Sequence, residues 1–113
     1  MVFKDKGIET YGIDPAKNLF EYSKTNHKVV NDYFSDKIDF QTKFDMVVMQ
    51  NSFAHQPNPT VFLENIKKIL QEDGHIFIQT SQADMVKNNE FDTIYHEHIN
   101  FYCANSMNTL VES

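Results

Sequence analysis

Residues 91–102, FDTIYHEHINFY, set Glu97 between His96 and His98 and surround the three with aromatic side chains. An imidazole changes charge near neutral pH, so a cluster of this kind suits proton transfer. Spacing alone leaves three arrangements open. In an extended chain His96 and His98 share a face and hold part of a metal site. Two imidazoles are too few for zinc, so His55, His75, Cys103 or a carboxylate would have to complete it. In a helix the two histidines diverge and Tyr95 shares a face with His98, with Glu97 available to orient one of them for acid–base work. A polar, aromatic surface loop is the third arrangement. On spacing it ranks first, acid–base second and metal third.

What could position such a cluster is legible along the rest of the chain. Residues 8–13 (IETYGI) read as a short strand closed by Asp14-Pro15, a good helix N-cap followed by a proline suited to the first helical position. A helix over 16–24 follows, with Leu19, Phe20 and Ser23 roughly on one face. Residues 27–30 read as a second strand. Residues 44–50 (FDMVVMQ) form the strongest strand, and their continuous apolar centre predicts burial on both faces, as in a parallel sheet. A loop over 51–58 leads to a helix from Pro59 to Leu70 with an apolar stripe of Phe62, Ile66, Ile69 and Leu70. Glu72-Asp73-Gly74 reads as a turn before a strand over 75–80, and a short helix is expected over 82–88. Alternation of this kind specifies a doubly wound α/β sheet, which binds ligands beyond the carboxyl ends of its strands.

The residues at those ends are therefore the candidates. Asp14 is placed either to accept hydrogen bonds from both hydroxyls of a ribose or to cap the helix that follows. In 31–34, Asp32 or Asn31 could read an adenine amino group and Tyr33 or Phe34 could lie on the base, or the stretch is a polar loop with one aromatic tucked inward. Asn51 and His55 follow the buried strand and face the cleft if it ends at Gln50. Otherwise His55 is a surface histidine held by loop carbonyls.

Bulk properties narrow the partners. The chain has 113 residues, 41% hydrophobic and 23% charged, which is ordinary globular composition for one domain. A net charge of −6 with ten scattered cations disfavours nucleic acid. The single cysteine, Cys103, excludes an internal disulfide and fits a reducing cytoplasm. No apolar run approaches the length of a membrane span or of a signal-peptide core.

Taken together, GIDP at 12–15, NDYFS at 31–35, KFDMVVMQNSFAH at 43–55 and FLENIKKILQEDGHIFIQT at 62–80 resemble class I S-adenosylmethionine-dependent methyltransferases. NEFDTIYHEHINFY at 89–102 resembles, more narrowly, the sugar C-methyltransferases that act on nucleotide-linked keto-deoxyhexoses. The resemblance runs from about Ile8 to the C-terminus and implies a Rossmann-like fold. It implies S-adenosylmethionine as cofactor, with Asp14 on the ribose hydroxyls, Asp32 with Tyr33 or Phe34 around the adenine, and Asn51 and His55 at the methionine end and the sugar. Tyr95, Glu97 and His98 would sit at the reacting carbon, with His98 as base and no metal required. Residues 8–80 would bind cofactor and 81–113 would carry the catalytic YHEH segment.

The resemblance also defines departures. The chain has three glycines, Gly7, Gly12 and Gly74, and no G-x-G, whereas the family begins its domain with a strand and a glycine-rich loop under the cofactor. The cysteine-rich zinc segment that precedes the domain in the family and the further domain that follows it are likewise without a counterpart. The expectation is an internal piece of a longer enzyme whose sheet lacks its central partner, exposes apolar edges, binds cofactor poorly alone and self-associates through the open edge. Two other functions stay in view: a non-catalytic assembly protein, and a small metal-binding protein built on His96 and His98.

Overall fold

The computed structural model describes residues 2–25, 27–90 and 96–113. The chain divides after Ile38 into two compact units. In the first, a single helical turn α1 (Val2–Asp5) precedes β1 (Tyr11–Ile13), α2 (Lys17–Ser23) and β2 (Lys28–Val30). The strands pair in parallel, with Tyr11 opposite Lys28 and Ile13 opposite Val30, so α2 is a crossover helix. The Asp14 N–H on the Val30 carbonyl at 3.1 Å extends the ladder by one bond.

Asp14 is not the helix N-cap. That position belongs to Ala16, and the helix starts at Lys17. The Asp14 carboxylate instead accepts the Ala16 N–H at 2.8 Å. A side chain this short reaches the amide two residues on, so it closes a turn ahead of the helix.

The second unit runs β3 (Phe44–Gln50), a 3-10 turn over Phe53–His55, α3 (Pro59–Ile69), β4 (Leu70–Gln79), α4 (Met85–Asn88) and α5 (Ala104–Glu112). The limits of β3 are those read from its apolar run. The side chain of Asn58 accepts from the Val61 N–H at 3.3 Å, and Pro59 follows at the first helical position, which sets the start of α3. The expected turn at 72–74 is absorbed into β4. Phe44 pairs with Leu70 and Met46 with His75, so two steps on β3 face five on β4. Gly74 makes that bulge feasible. A Cβ there would sit 2.9 Å from Leu70 Cδ2, 3.0 Å from the Gln71 carbonyl and 3.1 Å from that of Phe44.

The core of this unit is Met49, Phe53 and Tyr102, covered by Val47 and Ile78 from the strands, Phe62 and Leu63 from α3, and Met107 and Leu110 from α5. Phe53 is fully buried, 5.1 Å from the Tyr102 ring and 6.1 Å from that of Phe62. The expectation that β3 is covered on both faces is corrected. Its alternate residues Met46 and Val48 are 54% and 56% exposed, and Phe77 opposite Val48 on β4 is 55% exposed. Side chains alternate across a strand, so one face meets α3 and α5 while the other stays open. Among the described residues no helix is long and apolar enough to cross a membrane.

Candidate functional site

Beyond the carboxyl end of β3 the backbone turns sharply. Asn51 adopts φ +52°, a left-handed conformation that asparagine tolerates, while its N–H still reaches the Gln79 carbonyl at 3.0 Å. The turn drops Phe53 and Ala54 into the interior, where Ala54 is 2% exposed, and lifts His55 to the rim. Burial of Phe53 thus aims His55, and neither is set by periodicity.

The 97–101 segment lies directly on this turn. Ile99 and Asn100 both donate their backbone N–H to the Ala54 carbonyl, at 3.0 and 3.1 Å. The side-chain amide of Asn100 donates to the Gln56 carbonyl. Nδ1 of His55 lies 2.7 Å from the carbonyl oxygen of Glu97. The His55 and His98 rings meet edge to face at 5.0 Å, and His98 meets Phe101 at 5.9 Å. His98 is 8% exposed, whereas its neighbours His96 and Glu97 are exposed. A chain turn at 96–97 replaces both the extended and the helical arrangement over that dipeptide. Further along, the Ala83 N–H donates to the Tyr102 carbonyl at 2.7 Å and Gln82 bridges Tyr102, so the chain after β4 anchors the same segment from its other end. Burial pushes the Tyr102 phenol above its ordinary pKa.

Three of the four candidate catalytic residues, His55, Glu97 and His98, are therefore side by side, although 42 positions separate His55 from Glu97. Tyr95 falls outside the described residues. Glu97 contributes its carbonyl to the cluster, and its carboxylate is on an exposed residue. Among the described residues, no group of three or more His, Cys, Asp or Glu side chains is placed to hold a metal ion. Asn100, Gln56 and Ala54 carry this arrangement and were not singled out by sequence. Their signal is weak, because a side-chain amide that bonds a carbonyl 44 positions away leaves no local pattern.

The other candidates lie in the first unit. Asn31 donates its side-chain amide to the Asp14 carbonyl at 2.8 Å, which ties the ends of β1 and β2 together. With Oδ1 of Asp14 on Ala16, Oδ2 has no hydrogen-bond partner among the described residues. Asp32 accepts the Tyr33 N–H at 2.7 Å, Tyr33 is 74% exposed and Phe34 is half-buried. Asn51, the remaining cofactor candidate, is exposed in the second unit.

Comparison with known proteins places these features in a family context. A family model described as a methyltransferase domain matches residues 1–113. The C-methyltransferase NovU of Streptomyces niveus is 29% identical over 119 residues, covering 99% of this chain and 28% of that protein. The crystal structure of the plantazolicin methyltransferase BpumL, in complex with a pentazolic desmethylPZN analog and SAH, superposes with a TM-score of 0.74 at 15% identity. It covers 96% of this chain and 47% of the other. The chain thus spans between about a quarter and a half of the length of these relatives, and its fold is the Rossmann-like α/β fold of that structure.

Proposed function

The chain belongs to the methyltransferase family matched across residues 1–113, and from that premise we propose that it is part of a cytoplasmic S-adenosylmethionine-dependent C-methyltransferase acting on a nucleotide-linked keto-deoxysugar. The observation that carries this reading is the meeting of His55 and His98 on one short surface. NovU, a C-methyltransferase by name, supports the choice of carbon as the methylated atom.

The cofactor candidates, Asn51 on the second unit and the others on the first, each suit a part of the cofactor. A carboxylate oxygen of Asp14 without a partner among the described residues suits a ribose hydroxyl. The exposed ring of Tyr33, with Asp32 and Phe34, suits an adenine face, and Asn51 suits the methionine end. When bound, S-adenosylmethionine supplies an electrophilic methyl group on sulfur. Residues 8–80 carry that part and 81–113 the chemistry on the sugar.

Carbon is a poor nucleophile until a proton beside the ketone is removed. His98 takes that proton as the base, sheltered by its burial and the Phe101 ring. Tyr95 and Glu97 stabilise the developing enolate oxygen or steady the base. His55 stands beside the Glu97 carbonyl and the His98 ring at the rim of the turn. In the direct test, the sugar nucleotide is incubated with the chain in deuterated water without cofactor. Exchange of the proton beside the ketone, abolished in His98→Gln, supports the reading. Methyl transfer to a hydroxyl oxygen with no such exchange sinks it.

The open apolar face at Met46, Val48 and Phe77 supports a further element of the reading, self-association of this chain through its sheet. Light scattering across a hundredfold range of concentration checks it, and a constant monomer mass removes it. Cofactor affinity of the chain alone is weak in this reading. Tight binding of S-adenosylmethionine in calorimetry overturns that expectation.

A further inference from the structure

We propose that Asn100 is a positioning residue that fixes the tautomer of His55. The proposal rests on the reading of the 54–56 and 97–101 surface as the catalytic face. Nδ1 of His55 lies 2.7 Å from the carbonyl oxygen of Glu97. A carbonyl oxygen only accepts, so Nδ1 carries the hydrogen. A neutral His55 therefore keeps its lone pair on Nε2, the nitrogen able to accept a proton. Were the Glu97 carbonyl displaced, nothing among the described contacts of His55 would choose between the tautomers, and a ring protonated at Nε2 donates there instead of accepting.

Three hydrogen bonds place that carbonyl. Two are backbone bonds, from Ile99 and Asn100 to the Ala54 carbonyl, and are open to any residue with an N–H. The third is the Asn100 side-chain amide on the Gln56 carbonyl, and it requires a donor of that reach. It is the one bond of the three that the side chain at position 100 decides. The receiving turn is a fixed platform, since Phe53 and Ala54 are 0% and 2% exposed, and Gln56 also donates its own N–H to the Phe53 carbonyl at 3.2 Å. Displacement of the 97–101 segment is therefore what loss of the staple produces. Asn100 acts through Glu97 on His55 and touches no reacting atom in this scheme. Hydrogen bonds one step removed from a working imidazole commonly set which ring nitrogen bears the proton.

The test reads the tautomer directly. Long-range proton–nitrogen correlation spectra of the 15N-labelled full chain are recorded about two pH units above the ordinary imidazole pKa of ~6.5, with His55 assigned from the His55→Gln variant. The expected result is a protonated, pyrrole-type Nδ1 and a bare, pyridine-type Nε2. Asn100→Asp keeps the size and removes the donor, and it should raise the Nε2–H population roughly fivefold, the effect of one lost hydrogen bond. Asn100→Ser retains a shorter donor and serves where the Asp variant does not fold, with a smaller shift in the same direction. A pyrrole-type Nε2 in the unaltered chain, or an unchanged tautomer in a folded Asn100 variant, overturns the proposal. The spectra need neither cofactor nor sugar. A failure of the methyl-transfer reading therefore shows in the exchange experiment and not here.

Discussion

The two units of the chain are held together by different physics. Every buried hydrophobic residue among those described, Met49, Phe53, Ala54, Ile66, Met85 and Tyr102, belongs to the second. The first has no buried residue among those described and relies on a three-residue parallel ladder, turn hydrogen bonds and surface ion pairs. The described candidate catalytic residues, His55, Glu97 and His98, stand on the packed unit, and all the candidate cofactor residues except Asn51 stand on the other. A site for chemistry needs groups held within a fraction of an ångström, which packing supplies. Polar contacts to a cofactor on an exposed ladder gain their order largely when the ligand arrives.

Four substitutions test that contrast. The largest effect is expected for Phe53→Ala, at about 3–5 kcal/mol for a large buried aromatic. Urea unfolding followed on amide signals of β3 measures it. The His55–His98 contact should be lost with the turn, whereas the β1–β2 signals stay in place. Gly74→Ala should cost about 1–3 kcal/mol, because backbone carbonyls at 3.0 and 3.1 Å leave no room for the added carbon. Its signature is slippage of the pairing near Phe44, seen as faster amide exchange in β4. Asn58→Ala removes the cap of α3 and should lower the midpoint by the equivalent of about 1 kcal/mol.

The smallest effect is expected in the first unit. Lys28 bridges Glu9 and lies against the Tyr11 ring, with Nζ 4.7 Å from its centroid. The hydrogen bond from Lys28 pulls the Glu9 carboxyl below its ordinary pKa, and the same contact raises the ammonium. A lowered carboxyl stabilises the fold above its unfolded pKa and loses that contribution as acid is added. Both groups are solvent-exposed and screened, so Glu9→Gln should leave the thermal midpoint unchanged at neutral pH. A clear drop would show that the ion pair, and not the ladder, orders this unit.

Much of this is legible in the sequence. The limits of β3, the presence of α3 with its start at Pro59, and the β-α-β order follow from an apolar run and from the preference of proline for the first helical position, both local signals. Short elements came out shorter than their patterns. The strand expected over 8–13 spans Tyr11–Ile13, and the helix expected over 82–88 spans Met85–Asn88. The trimmed ends still serve these elements through their carbonyls, Thr10 accepting the Lys28 N–H and Asp84 those of Lys87 and Asn88, without being strand or helix themselves. Helix α5 was not anticipated. The polar segment that begins with Asn105-Ser106 has low helix propensity, and its apolar Met107 and Leu110 find partners only in a core assembled from distant strands. The open face of β3 has a related cause. An apolar run shows that a strand tolerates burial on both faces, but only the neighbouring elements determine whether both are covered.

Composition, charge, periodicity and caps, which act over a few residues, determined by themselves that this chain is an α/β protein with parallel strands, and pointed to its strand ends and its histidine cluster as the places for chemistry. Tertiary structure alone decided that His55 and His98 meet, that Glu97 contributes its carbonyl there, and that Asn100 pins the segment to the 54–56 turn. Those contacts join positions more than forty residues apart through single hydrogen bonds and one buried phenylalanine, and a directional bond between distant residues has no expression in the spacing of either partner.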